Sequence, residues 1–335
     1  MRLNGISFAN KTVMNTKYLS GIIKLLTSLT ICLFLTFFGA YASADDVLLE
    51  DYTSLPNQRL TVLGAVLVQS KGWCFAYAAA DLISYRLNQR VSVQDVALSY
   101  YAGRLETKST NPFEGGNIEA AINAASKKGL CLEKDFPTDG ANEIINSGLL
   151  AFNRNQAINW LTFIQKLRIS VNGKSDPEKP GFYEMYPHLS LNDMLTILNT
   201  RDFKNGEIAL AFRDANCKDR TLSPVSLKVK TKEGRMLDWY IDNQLNRGNL
   251  VAIYYFADFL LKNPDKSGTE TVGHASTVVA KRVKGTTTQY LIRQSWAYDT
   301  KYAAGVEKEP SMPGYIWVNA SALIPNVYGV TYIEN

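Results

Sequence analysis

Cys74 stands in the segment Gln69-Ser70-Lys71-Gly72-Trp73-Cys74-Phe75-Ala76-Tyr77-Ala78, where polar residues give way to an apolar run. A thiol is a strong nucleophile only as thiolate, and a helix N-terminus or a neighbouring imidazolium favours that form. The chain has two histidines, His188 and His274. His188 follows Pro187 in a polar stretch, the setting of a solvated surface residue. His274 opens an apolar run after Gly273. A cysteine at a helix start and a distant histidine are the parts required for nucleophilic acyl transfer, in which sulfur attacks a carbonyl and imidazole manages the proton.

Positioning these two side chains requires a helix and a strand. Phe75, Ala78, Ala79, Leu82 and Ile83 recur at helical spacing, which predicts a helix from Cys74 to about Leu87 with one face buried. Its dipole and free N–H groups would point at Cys74. Ser92 is the expected N-cap of a second helix reaching about Tyr101, and Asn117 of a third that Gly129 ends. Beyond Phe136-Pro137, helices are expected over Ile145 to about Leu167, and from the cap Ser190 to about Leu198, with a polar loop over Lys174–Pro180 between them. From Asn249 the pattern turns to strands: Leu250–Phe256, His274–Val283, Gln289–Ser295, Tyr315–Val318 and Val327–Ile333. Lys284-Gly285 marks a hairpin. Helices first and antiparallel strands later predict an α+β fold of two packed halves.

The order of five segments resembles the papain family of cysteine peptidases. They are Gln69 to Ala78; Gly115-Gly116 through a helix to Gly129 and Phe136-Pro137; Gly273-His274-Ala275; Gln294-Ser295-Trp296; and Gly314-Tyr315-Ile316-Trp317. The resemblance implies a two-lobed fold, with a helical N-terminal lobe, an antiparallel β C-terminal lobe and a cleft between them. Residues 139–246 would then form a mainly helical insertion. It also implies roles. Cys74 is the nucleophile and His274 the base. Gln69 donates to the oxyanion with the Cys74 N–H. Gly115 and Gly116 bind an extended substrate, and Trp296 shields the imidazole's hydrogen bond. Three departures stand out. Gln294 occupies the place of the family's imidazole-orienting Asn, and either completes a triad or leaves a Cys-His dyad. Gln69 lies five residues before Cys74, one fewer than in papain. Gly273 takes the place of an acidic residue, and Ile253 is the expected lining of the main specificity pocket.

Residues 1–44 read as a signal peptide: Arg2, Lys11, Lys17 and Lys24 without an acid, an apolar stretch from Leu25 to Ala40, and Ala42-Ser43-Ala44 before Asp45. The alternative is an uncleaved anchor, which would be the chain's membrane contact. The peptidase domain is then 45–335. Too few residues separate Asp45 from Gln69 for the long inhibitory pro-region usual in the family.

The formal charge of +5 comes from 36 basic and 31 acidic residues, and four of the basic ones belong to the leader. The remainder is almost neutral, which gives no ground for nucleic-acid binding. Of four cysteines, Cys32 lies in the leader. Either Cys131 and Cys217 pair and leave Cys74 free, or all three stay reduced. No zinc spacing is visible, so neither a metal nor a cofactor is expected.

The expected protein is a secreted or periplasmic thiol peptidase, a monomer acting on peptide or protein substrates. Two alternatives stay open on the same fold. One is a cell-wall peptide hydrolase or acyltransferase; the other is a catalytically impaired binding module.

Overall fold

The helix Cys74–Leu87 (α1) is buried on every side over its first turns, because Phe75 through Ala80 are all inside. The sequence pattern predicted one buried face. Small alanines let the helix sit between two layers, so no stripe faces water. The computed structural model describes residues 57–102, 115–170, 186–203, 207–262, 273–297 and 299–334. The expected leader and the Lys174–Pro180 loop lie outside these residues.

Two further helices pack on α1: Val93–Ala102 (α2) and Ile118–Lys128 (α3). The expected caps are in place. Ser92 Oγ accepts from the Asp95 N–H at 3.1 Å, and Asn117 Oδ1 accepts from the Ala120 N–H at 2.8 Å. Gly129 ends α3 at φ +91°, a conformation that penalises any side chain. A short ladder pairs Leu130–Cys131 (β1) with Thr221–Leu222 (β2).

Between them run Gly140–Ala151 (α4), Arg154–Ser170 (α5), Leu191–Leu198 (α6) and Glu207–Asn216 (α7). The single helix expected over 145–167 is two helices. Asn153 Oδ1 accepts from the Gln156 N–H at 3.0 Å, and Gln156 Oε1 accepts from the Asn153 N–H at 2.9 Å. This reciprocal cap starts a new helix inside a continuous helical pattern. Ser190 and Asp193 form the same device at α6.

The β lobe is a seven-stranded antiparallel sheet among the described residues. Its strands are Val229–Glu233 (β3), Val251–Phe256 (β4), Gly273–Lys284 (β5), Thr287–Arg293 (β6), Val306–Lys308 (β7), Tyr315–Asn319 (β8) and Val327–Ile333 (β9), in the order β3-β9-β4-β5-β6-β8-β7. Helix Leu237–Asn246 (α8) joins β3 to β4. Neither β3 nor α8 was expected, and both fall at the end of the 139–246 segment. They belong to the β lobe: β3 pairs with β9, and Leu237, Ile241 and Leu245 fill the core on one face of the sheet.

Strand alternation divides two cores. Ala252, Ala275, Val279, Leu291 and Trp317 face the helical lobe; Val251, Ile253, Tyr255, Val278 and Ile292 face the α8 side.

Two covalent or ionic ties fix this arrangement. Cys131 and Cys217 form a disulfide across 86 residues, which leaves Cys74 as the free thiol among the described residues. Arg293 on β6 reaches Asp81 on α1 at 3.1 Å and donates to the carbonyls of Leu63, Gly64 and Ala65. Thr277 Oγ1 donates to the same Asp81 carboxylate. A buried ion pair persists where further hydrogen bonds satisfy both partners, as they do here. It sets the depth of α1, and therefore of Cys74, against the sheet.

Candidate active site

Cys74 begins α1, where Trp73 supplies no capping side chain. The first N–H groups of the helix are thus left for the site. Those of Phe75 and Cys74, with that of Ala275, face the sulfur and favour its thiolate; burial works against them and pushes the thiol up. Ala275 follows His274 on β5, so the sulfur lies against the start of the strand that carries the histidine. No direct hydrogen bond joins the sulfur to the imidazole.

His274 is 4% exposed. Its Nε2 lies 2.7 Å from Gln294 Oε1. That oxygen also accepts from Ser276 Oγ at 2.9 Å, while Gln294 Nε2 donates to Tyr255 Oη at 2.9 Å. Tyr255 Oη and Ser276 Oγ are 3.0 Å apart, closing a buried ring of polar groups. With the amide oxygen facing His274, Nε2 carries the proton and Nδ1 is left as the acceptor. Burial pushes the imidazole down to about 4 despite the Gln294 bond, which raises it. The Trp296 ring covers the imidazole, with centroids 4.6 Å apart.

A cleft of about 360 Å³ opens in front of this pair. Cys74 and Phe75 form its floor with Gly115, Gly116, Asn117 and Tyr100 on one wall. Gly273, His274, Ala275, Tyr254 and Tyr328 form the other. Gly116 has a packing reason to be glycine: a Cβ there would stand 2.7 Å from the Phe75 ring. Gly115 is exposed, and a Cβ there would meet nothing.

Gln69 stands beside the cleft rather than in its lining. Its N–H donates to the Ser295 carbonyl at 2.8 Å, and its Oε1 accepts from Ser295 Oγ at 2.6 Å. With the oxygen engaged, the amide nitrogen is the end left to donate elsewhere.

The structure therefore brings together Cys74, His274, Gly115, Gly116 and Gly273 on one cleft, with Gln294 and Trp296 behind the histidine. Ile253 requires correction. It is fully buried in the core on the far face of the sheet, away from the cleft. Its neighbour Tyr254 lines the cleft instead, because a shift of one residue along a strand reverses the face. The Ile118 N–H at the start of α3 donates to Tyr254 Oη, so this tyrosine bridges the lobes. Tyr328, stacked on Tyr254, was also missed; it is the second residue of the last strand and carries no sequence signal of a site. His188, expected at the surface, is partly exposed and lies 3.2 Å from Asp135.

The structural neighbours are papain-like cysteine proteases. A chain from the structural comparison of the mite allergens Blo t 1 and Der p 1 aligns at 17% identity, over 86% of this chain and 74% of its own, with a TM-score of 0.43. Digestive procathepsin L 3 from the larval midgut of Tenebrio molitor aligns at 10% identity, over 81% and 67%, with a TM-score of 0.41. Xylellain, a cysteine protease from Xylella fastidiosa, aligns at 15% identity, over 85% and 91%, with a TM-score of 0.41. No family model matches the chain, and no curated protein does.

Proposed function

We propose that the chain is an exported cysteine peptidase that hydrolyses peptide bonds through a thioester on Cys74. One observation supports this above the others. A free thiol at a helix N-terminus shares a cleft with an imidazole whose Nε2 is engaged by Gln294.

A peptide carbonyl entering beside Gly115 and Gly116 meets the Cys74 sulfur. Burial keeps the resting thiol and imidazole neutral, so the thiol proton passes to His274 Nδ1 as the carbon–sulfur bond forms. The oxyanion takes hydrogen bonds from the Cys74 N–H and the Gln69 side-chain amide. Collapse expels the amine, which takes the proton from Nδ1. Water then gives a proton to the same nitrogen, attacks the thioester and releases the acid, and Nδ1 returns the proton to sulfur. The scheme requires no cofactor. Export by cleavage after Ala44 and action as a monomer on peptide or protein substrates belong to the same proposal.

Cys74→Ala tests it. Casein hydrolysis should fall by at least about 10³-fold with the circular dichroism spectrum unchanged. An undiminished rate refutes the assignment. One observation favours a second reading, a binding module that has lost turnover: burial pushes the thiol up and the imidazole down, away from a thiolate–imidazolium pair. Labelling by an epoxide probe separates the two. Selective reaction at Cys74 supports the peptidase, and reaction no faster than in a denatured control supports the binding module.

A further inference from the structure

Glu143 is fully buried on α4, and its partners among the described residues are neutral donors. Its Oε2 accepts from the Ser70 N–H at 2.5 Å, Ser70 Oγ at 2.6 Å and the Lys71 N–H at 3.2 Å. Its Oε1 accepts from Tyr77 Oη. The two oxygens therefore divide their work. One holds the loop that leads into Cys74, and the other holds the first turn of α1 just past it. At the other end of the loop, Ser295 holds Gln69 through main chain and side chain.

A carboxylate out of water needs such donors, and burial still pushes Glu143 above the ordinary carboxylate range. The donors that offset this cost come from Tyr77 and from the four-residue loop, Ser70 to Trp73, between Gln69 and Cys74. That loop sets the separation of the Gln69 amide from the Cys74 N–H, the two donors assigned to the oxyanion. A helix-supplied bridge on one side and Ser295 on the other fix both ends. Oxyanion donors act through preorganisation, so a loop free to shift by an ångström loses their effect while the thiol remains.

We infer that Glu143 is a positioning residue, which fixes the oxyanion donors Gln69 and Cys74 N–H by clamping the loop between them. This gives the 139–246 segment a role at the site. The inference rests on the peptidase reading, and the test separates the two.

The experiment compares wild type with Glu143→Ala and Glu143→Asp, whose shorter stem cannot serve both the loop and Tyr77. Casein hydrolysis supplies kcat and KM, and iodoacetamide alkylation of Cys74 reports the thiol without forming an oxyanion. Both variants should lose about 10- to 100-fold in kcat with KM held within about threefold, and alkylation within about twofold. Glu143→Asp carries the test alone where Glu143→Ala does not fold. A folded variant with wild-type kcat overturns the assignment. So does alkylation falling in step with kcat, which marks general distortion around the thiol. A wild type that turns over no peptide overturns the peptidase reading itself, and the assignment with it.

Discussion

His274 Nε2 and Gln294 Oε1 lie 2.7 Å apart although a glutamine stands where the resemblance places an asparagine. β6 ends at Arg293, and the Gln294 N–H donates to the Gly314 carbonyl at 2.9 Å, which carries the β6–β8 register one residue further. Ser276 and Tyr255 then hold the extra methylene's amide in one orientation. A third side chain is thus in contact with the imidazole.

Replacing Gln294 by Ala removes the group that selects the imidazole tautomer. The Nε2 proton is then free to move to Nδ1, where it blocks acceptance from the thiol. A loss of about 10²-fold in kcat is expected, with little change in KM. Gln294→Asn should recover only part of it, because Ser276 and Tyr255 are spaced for the longer side chain. Full activity in Gln294→Ala would show that the histidine needs no orienting partner.

The buried imidazole also sets a pH dependence of stability. Its pKa is held down to about 4 against an ordinary 6.5, so the folded chain resists a proton that the unfolded chain takes up. The resulting contribution to stability is fully present above pH 6.5 and is lost as pH falls through about 4. Between those limits urea unfolding of the wild type should carry an added slope approaching about 1.4 kcal/mol per pH unit from this one group. His274→Asn should lack that component. Equal slopes in the two proteins would mean that the imidazole is not buried neutral.

The Cys131–Cys217 bridge ties β1 to the end of α7, far from the cleft. Closing a loop of 86 residues restricts the unfolded chain strongly. The double Cys→Ser variant should lose about 4 kcal/mol of stability at most, measured by denaturant titration. Casein hydrolysis below its melting temperature should be unchanged, since neither sulfur touches the site. A selective loss of activity in the folded variant would tie the bridge to the chemistry.

Local chemistry was legible in the residues. The caps Ser92, Asn117 and Ser190, the stop at Gly129 and the hairpin at Lys284-Gly285 each act within a few positions, so composition alone determines them. Cys74 and His274 were likewise legible, because a thiol opening an apolar helix and one non-surface histidine leave few alternatives. What lay beyond the sequence was every decision made between distant segments. Which face of β4 meets the cleft depends on a register that Tyr254 and Ile253 share equally as apolar neighbours. That Glu143 would serve a loop seventy positions earlier, or that Cys131 would meet Cys217, follows from how α4 and α7 pack on the N-terminal helices. Short-range preferences are encoded in adjacent side chains; long-range partnership is chosen by the shape of the whole core.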